Sequence, residues 1–334
     1  MKKIIFALFA LVGIISSCTN DDIEITHATT VKVDPSTVLS PFTYERKPGE
    51  LTMFDTNFKL RITVLAYNEL GILVDENITY CNNYSQIGTS ELNLSEGKYM
   101  VYAITDVMNS EIEFWKIEDT QNLATTKIVD QHRIGGKYKI LGVATSTINV
   151  SSGNSNEFTL KPEAAGALCL VEWFNIHQFS DVTRYTLQTN KVCDNLQFTT
   201  DANSGYSIAE ESHNGAFDWR MAYLEPENYT GNIIYGYYFV FPMKNVGFRY
   251  TYNTAESSGN ELIDPAYVTF EKGGEYWFAL DLNDEEQGGL ITYAYGKPLN
   301  NASKAKSLSP SQKIQDHSIG EYMYLNDLAK IINE

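Results

Sequence analysis

The chain of 334 residues is long enough for two domains of ordinary size, and its 42 acidic and 25 basic residues give a formal net charge of −17. Nucleic-acid binding needs a basic surface, and anionic membrane surfaces and acidic substrates repel a chain of this charge. The balance argues against those partners, with no nucleic acid expected, and favours solubility.

Two lysines precede an uninterrupted apolar stretch over residues 4–15. The stretch is shorter than the roughly 20 residues that span a bilayer, and its charged start is typical of a secretory signal. It ends in Ile15-Ser16-Ser17-Cys18, which resembles the lipobox of bacterial lipoproteins. The resemblance implies that residues 1–17 are a signal peptide and that Cys18 becomes a lipid-modified N-terminus bearing palmitate-type acyl chains.

Residues 18–45 are polar, contain Pro35 and Pro41, and are predicted to be a tether. Their start, Thr19-Asn20-Asp21-Asp22, resembles the acidic surface-export signal of Bacteroidetes lipoproteins, although a solvated linker has the same composition. More than one acyl chain anchors a protein stably without spanning the membrane. We therefore expect a lipid-anchored outer-membrane protein that faces the cell exterior, with a periplasm-facing location as the alternative.

Alternating apolar residues predict strands throughout the first half. The segment from Phe58 to Asn68 alternates as a half-buried strand does, and a turn follows at its end. A hairpin is predicted over 90–107, turning at Ser95-Glu96-Gly97, and two or three more strands are predicted over 137–162.

The second half repeats this style. Strands are predicted over 166–174, 183–189, 232–242 and 266–283. Gly274-Glu275-Tyr276 in the last segment matches Gly97-Lys98-Tyr99 in the predicted hairpin, which suggests internal duplication. Short strands at regular spacing indicate β-sandwiches, so the expected fold class is all-β.

Pro162 and Glu163 mark a plausible boundary between the two halves. A tail follows the second half, and its last residues, 320–334, have the composition of one terminal helix. The expected organisation is a signal peptide over 1–17, a tether over 18–45, an N-terminal β-sandwich domain over 46–161, a C-terminal β-sandwich domain over 162–285 and a tail over 286–334.

Residues 233–241 are apolar on both faces of the predicted strand. Such a strand is either buried on both sides or made to pair with another chain, because an exposed apolar edge promotes aggregation. Burial is the commoner outcome and is the expectation here.

No local motif predicts catalysis or metal binding. No two of the five histidines lie within four residues of each other, and no nucleophile elbow, phosphate-binding loop or dinucleotide fingerprint occurs. The acidic segment 281–289 has the wrong spacing for a calcium loop. We therefore predict no catalytic residue, no metal site and no cofactor.

Three cysteines remain besides Cys18, and none has the spacing of a local redox pair. Buried thiols are the default expectation. A disulfide is permitted outside the cytoplasm, and Cys169 with Cys193 is the candidate pair.

Taken with Cys18, three segments are similar to the fimbrillin-like lipoproteins of Bacteroidales, which include fimbrial shaft subunits and anchor subunits. The segments are FKLRITVLAYNELGILV, LSEGKYMVYAITDV and EFTLKPEAAGALCLVEW. The resemblance implies two tandem transthyretin-like sandwiches that assemble by strand exchange. In shaft subunits a protease cuts after an arginine to open the strand groove, and Arg46 is the candidate for that cut, the alternative being a surface arginine in a tether. Anchor subunits keep their lipid and are not cut.

The leading hypothesis is a non-catalytic surface lipoprotein, a fimbrial subunit, anchor or adhesin that pairs strands with other fimbrial subunits or surface proteins. The alternative is a glycan-binding lipoprotein of a polysaccharide-uptake system, with Trp115, Trp219 and Tyr223 as the stacking aromatics. A third and weaker hypothesis is an enzyme whose site is assembled in space.

Overall fold

The computed structural model describes a chain built almost wholly from strands. It describes residues 25–42, 51, 54, 57–131, 138–153, 155–174, 182–189, 191–193, 195–200, 205–208, 211–212, 219–224, 233–246, 248–254, 258–261, 268–281 and 289–295. For those of the described residues that fall within 170–188, 191–192, 211–236, 248–268 and 277–295, the description covers the backbone only. The expected all-β fold class is confirmed.

The first half holds ten strands and one short helix, α1 (Ser36–Leu39), among its described residues. The strands are β1 (Thr26–Val33), β2 (Lys59–Tyr67), β3 (Leu73–Cys81), β4 (Gly88–Ser95), β5 (Gly97–Met108), β6 (Trp115–Glu118), β7 (Lys127–Asp130), β8 (Gly142–Val150), β9 (Asn156–Leu160) and β10 (Glu163–Ala164).

The second half holds fourteen strands among its described residues. They are β11 (Ala167–Phe174), β12 (Val182–Thr189), β13 (Lys191–Val192), β14 (Asn195–Phe198), β15 (Tyr206–Ile208), β16 (Glu211–Ser212), β17 (Trp219–Leu224), β18 (Ile233–Val240), β19 (Met243–Val246), β20 (Phe248–Thr254), β21 (Ser258–Glu261), β22 (Val268–Phe270), β23 (Glu275–Asp281) and β24 (Gly289–Tyr295).

Two sheets of the first half pack face to face. The front sheet has the strand order β4-β1-β9, and the central sheet has the order β10-β8-β5-β2-β3. Leu60, Ile62 and Val64 on the inner face of the central sheet are fully buried, as are Val31 and Leu92 of the front sheet. Their alternation with residues of the opposite face is the period of two that the sequence shows.

The outer face of the central sheet is buried as well, which the sequence did not predict. Arg61, Thr63, Leu65 and Tyr67 form the outer row of β2, and Arg61 is the most accessible of them, with a side chain only 11% exposed. The prediction of a half-buried strand is therefore wrong for β2, because a third layer covers this face.

That layer, the outer sheet, has the order β15-β14-β7-β6 and draws strands from both halves of the chain. β7 pairs antiparallel with β14, with Ile128 opposite Leu196. Tyr102 of the central sheet stacks on Phe198 with ring centroids 4.2 Å apart, and its hydroxyl donates to the Thr199 carbonyl at 2.6 Å. The two halves therefore share one sheet and one buried interface.

The predicted hairpin over 90–107 is wrong in its pairing. Both strands form, but β4 belongs to the front sheet and β5 to the central sheet, so the chain crosses between layers at Ser95-Glu96-Gly97. Tyr99 closes this crossing, since its hydroxyl donates to the Ser95 carbonyl at 3.1 Å.

The matching Gly274-Glu275-Tyr276 also closes a crossing between two sheets. The Tyr276 hydroxyl donates to the Thr269 carbonyl at 2.9 Å, and a Cβ on Gly274 would lie 2.6 Å from the Tyr276 ring. However, β5 is antiparallel to both of its neighbours, whereas β23 runs parallel to β11. The shared Gly-x-Tyr pattern therefore marks a similar local turn at two different topological positions, and it is not evidence of duplication.

A topological repeat does exist elsewhere. β1, the first strand of one half, lies between antiparallel β4 and parallel β9, and β11, the first strand of the other, lies between antiparallel β18 and parallel β23. The chain passes between the two arrangements at residues 165–166, next to the predicted boundary. Only glycine fits at 166, because a Cβ there would lie 2.2 Å from the Val240 carbonyl oxygen.

The predicted tether over 18–45 is wrong for residues 26–42. β1 pairs with two strands, and the segment after it docks onto the core through Val38 and Phe42, both buried. The polar composition of this region reflects the alternation of a strand with one solvent-facing row.

We predict that the two halves unfold together in one cooperative transition, because they share the outer sheet. Phe198→Ala should lower the free energy of unfolding by about 3–5 kcal/mol, because removal of the buried ring leaves a cavity against Tyr102. Denaturant titration followed by both fluorescence and circular dichroism measures this. Ser207→Ala, at an exposed position of β15, is the control and should change little. Two separate transitions in the wild type would contradict the claim that the outer sheet joins the two halves into one cooperative unit.

Candidate functional site

The feature that connects the N-terminal region to the fold is the β1 groove, the channel between β4 and β9 that β1 occupies. β1 pairs with β4 over all eight of its residues and with β9 over five, from Thr29 to Val33. Both of its backbone edges are therefore used, so the strand is held by main-chain hydrogen bonds on two sides.

Side chains hold β1 on both of its faces. Thr29, Val31 and Val33 point into the core and are fully buried. On the outer face, Lys32 Nζ lies 2.5 Å from Glu157 Oε1 of β9, and Thr30 Oγ1 donates to Glu91 of β4 at 3.0 Å. The inward row supplies the stability, because exposed ion pairs contribute only about 0–1 kcal/mol.

The segment after β1 is tied down before the chain leaves the described residues. The Asp34 amide donates to the Leu160 carbonyl at 2.9 Å, and Thr37 Oγ1 donates to the Pro162 carbonyl at 2.6 Å. Arg46, the candidate processing site, lies outside the described residues, as does the lipidation candidate Cys18. In chain order, Arg46 falls between β1 and β2, so a cut there would separate β1 covalently from the rest of the fold.

A buried charge cluster lies on the outer face of the central sheet. Arg61 donates to both oxygens of Asp106, at 2.9 Å from Nε and 2.9 Å from Nη2, and also to Glu113. Arg61 Nη2 further donates to the Trp115 carbonyl at 2.7 Å. The cluster fastens β6 and the turn before it to β2 and β5, which is a structural role.

Burial raises the pKa of the Asp106 carboxyl to about 6, against the opposing effect of Arg61, and the nearby Glu113 adds to the increase. Arg61 thus serves two carboxylates in a poorly solvated space, which explains why its single charge does not fully offset the burial of Asp106.

Trp115 is not an exposed glycan platform, and that prediction is wrong. Its side chain is buried, its ring packs 5.2 Å from that of Phe241, and its indole Nε1 donates to the Lys139 carbonyl at 2.8 Å. The charges beside it in sequence point elsewhere, because neighbouring residues of a strand face opposite sides.

Trp219 and Tyr223 lie on β17, where Trp219 is opposite Thr189 and Tyr223 opposite Thr186 of β12. Their side chains lie outside the described residues, so their role in glycan binding stays a prediction.

The candidate disulfide is not formed. Cys169 and Cys193 are buried thiols, as is Cys81, in agreement with the default expectation. Burial raises the pKa of the Cys169 thiol well above its ordinary value, which makes it a poor nucleophile.

Residues 233–240 of the predicted apolar stretch form β18, which pairs with β11. Tyr237, Tyr238, Phe239 and Phe241 are buried, as expected. Phe239 and Phe241 pack against Trp115, so this stretch contributes to the interface between the two halves.

The described residues contain no group of three His, Cys, Asp or Glu side chains arranged to hold a metal ion. Among those same residues, no helix has the length and apolar character that crossing a bilayer requires.

No family model and no curated protein sequence matches the chain. Solved structures do resemble it. The fimbrial anchor protein Mfa2 from Porphyromonas gingivalis aligns with 11% identity and a TM-score of 0.47, over 81% of this chain and 98% of that one.

Two further structures come from Bacteroides. A protein provisionally assigned to polysaccharide binding, from Bacteroides thetaiotaomicron, aligns with 10% identity and a TM-score of 0.46 over 80% of this chain and 96% of that one. A protein provisionally assigned to cell adhesion, from Bacteroides eggerthii, aligns with 12% identity and a TM-score of 0.44 over 80% and 95%.

We predict that Asp106→Asn removes a pH dependence from the free energy of unfolding, because the amide beside Arg61 cannot titrate as the Asp106 carboxyl does. The ordinary pKa of the carboxyl is 3.8 and its folded pKa is about 6, so the folded state binds more protons between these values. Wild-type stability relative to the variant should therefore grow as pH falls from 7 to 4.

Denaturant titrations of both proteins across that pH range measure the difference. Glu113→Gln is the matched control, since this partner is 39% exposed and its replacement leaves the Asp106 carboxyl in place, so most of the pH dependence should remain. A difference that shrinks as pH falls would contradict the assignment to Asp106.

Proposed function

We propose that the chain is a non-catalytic, lipid-anchored protein of the outer cell surface, of the fimbrial anchor or adhesin type. The observation that carries the proposal is the position of β1, which begins a few residues after the lipobox and fills a two-sided groove in the same fold. The N-terminal segment that would carry the lipid therefore continues into β1, a strand of the fold itself.

The distance between lipid and fold is short. Seven residues separate Cys18 from β1 at Thr26, and an extended chain of that length reaches about 25 Å. A fold held this close to its anchor suits a base on which other subunits assemble.

The occupied groove is the state that an uncut anchor or adhesin would keep, whereas a shaft subunit would first have to be cut. Strand exchange requires an empty groove, and here β1 fills the groove in its own chain with a buried apolar row. A cut after Arg46 would make β1 exchangeable. As long as the chain is uncut, β1 stays in the groove and keeps it closed. Strand pairing with another subunit would then use a different surface unless the chain is processed.

We predict that Cys18→Ser abolishes lipid attachment and releases the protein from the membrane fraction, because Cys18 is the only acceptor that the lipobox offers. Metabolic labelling with a palmitate analogue and cell fractionation in a Bacteroidetes host measure both. Protease treatment of intact cells distinguishes an exterior from a periplasmic location. Labelling of the Cys18→Ser variant would contradict the lipobox assignment.

We predict that the groove of the uncut protein does not bind a second copy of the β1 strand. With a sequence-specific protease site inserted after Arg46, the uncut protein should not bind a fluorescent peptide of residues 26–42, whereas the cut protein should exchange it. Fluorescence anisotropy measures the exchange, and a peptide carrying Val31→Asp should fail in both forms.

The same protease site inserted at Gly153 is the matched control, because that turn is open and lies outside the groove. Peptide uptake by the uncut protein, or after the cut at Gly153, would contradict a groove that β1 keeps closed.

A further inference from the structure

One side of the first half carries an unusual concentration of exposed apolar side chains. Of the seven large apolar side chains that are well exposed in the described residues, six lie between residues 70 and 87, and the other is Ile25. Scattered exposed apolar residues are ordinary, but a contiguous set marks an interaction surface.

The centre of this set is a single row on β3. Its exposed residues alternate with inward-facing ones, and Ile78 and Tyr80 are 49% and 54% exposed. We name this row the β3 stripe; its members are Ile72, Val74, Glu76, Ile78 and Tyr80. It is about 26 Å long at the usual rise of a strand.

The stripe is exposed because the covering layer stops short of it. In the row of β2 beside it, Thr63 lies opposite Ile78 and is buried under the covering layer. At one end, the loop that includes Gln121 binds the start of β3, where the Leu73 amide donates to the Gln121 carbonyl at 3.1 Å. Beyond that loop nothing in the described residues buries the apolar row of β3.

The backbone edge of β3 is not available for pairing with another strand. Side chains bridge it to the neighbouring β4: Asp75 Oδ2 accepts from the Asn93 amide at 2.7 Å, and Thr79 Oγ1 donates to the Thr89 carbonyl at 3.0 Å. These contacts obstruct the addition of another strand to that edge. The face of the strand, with its apolar row, is the accessible surface.

The charge on the stripe selects its partner. Glu76 is exposed in the middle of the apolar row, and within the described part of the chain no basic side chain pairs with it. A second copy of this chain would present another acidic stripe and a net charge of −17, which disfavours self-association. A partner with a basic residue between apolar ones would satisfy both features.

We propose that the β3 stripe is a docking surface for another protein that presents an extended apolar segment with one lysine or arginine opposite Glu76. This surface is separate from the β1 groove, and the inference depends on neither lipid attachment nor processing at Arg46. It assigns the first half a contact that leaves its own strands in place.

The test uses two cyclised hairpin peptides and the full mature chain. One face of each peptide alternates valine and isoleucine, with a central lysine in the first peptide and a central glutamate in the second. Affinity is measured by fluorescence anisotropy, and amide hydrogen exchange across β3 locates the contact. The wild type should bind the lysine peptide, with protection on β3, about tenfold more tightly than the glutamate peptide.

Glu76→Lys should reverse that preference, and Ile78→Ser should weaken both peptides by about tenfold or more. Two matched controls should leave binding unchanged: Ile25→Ser, which removes the exposed apolar residue outside the stripe, and Glu271→Lys, which reverses an exposed charge in the turn before β23. All four positions are exposed, so the variants should melt like the wild type.

Three outcomes would overturn the proposal. The first is no preference between the peptides in the wild type, and the second is equal weakening by the control variants. The third is a wild-type dimer in light scattering that Ile78→Ser dissociates, which would identify a second copy as the occupant.

Discussion

The burial of both faces of the central sheet is the constraint on which the rest of the structure depends. The front sheet covers one face, and the other requires a layer that the first half alone does not complete. β14 supplies it by pairing with β7, and Phe198 fills the space over Tyr102. Because a sheet must bury its apolar faces to be stable, the second half is part of the same packing problem.

The same constraint explains the buried charge cluster. Covering the outer face traps Arg61, and a trapped guanidinium needs partners for its donors. Asp106, Glu113 and the Trp115 carbonyl provide them. The resulting bonds fix where β6 lies, and β6 in turn places Trp115 against Phe241, so polar and apolar contacts specify one arrangement of the layers.

The period of two predicted most strands of the first half, because alternation is a local property of the chain. It did not predict which strands pair, since β4 and β5 look like a hairpin until the crossing between layers is known. It also did not show that Arg61 is buried, because its partner Asp106 is 45 residues away. Trp115 was misassigned for a related reason, as its local charges gave no indication of the layer that covers it.

The position of β1 was predictable in part. Thr29, Val31 and Val33 alternate with Thr30 and Lys32, the same signal that identified β2. The nearby prolines and the lipobox made a tether the simpler interpretation. What sequence could not show is that a short strand so close to the chain start lies between two partners, since parallel pairing with β9 joins residues more than 120 positions apart.

The net negative charge of the chain determines which kind of partner the β3 stripe can bind. An exposed apolar row promotes association between identical copies unless some other force opposes it. Here the net charge of −17 and Glu76 within the row both oppose like-with-like contact, while the bridges from Asp75 and Thr79 to β4 obstruct the strand edge. The charges that disfavour self-association would also attract a basic partner, because repulsion between like surfaces and attraction toward opposite ones arise from the same field. Specificity at this surface therefore follows from electrostatics acting on an apolar contact, and a single carboxylate in the row is enough to distinguish the two kinds of partner.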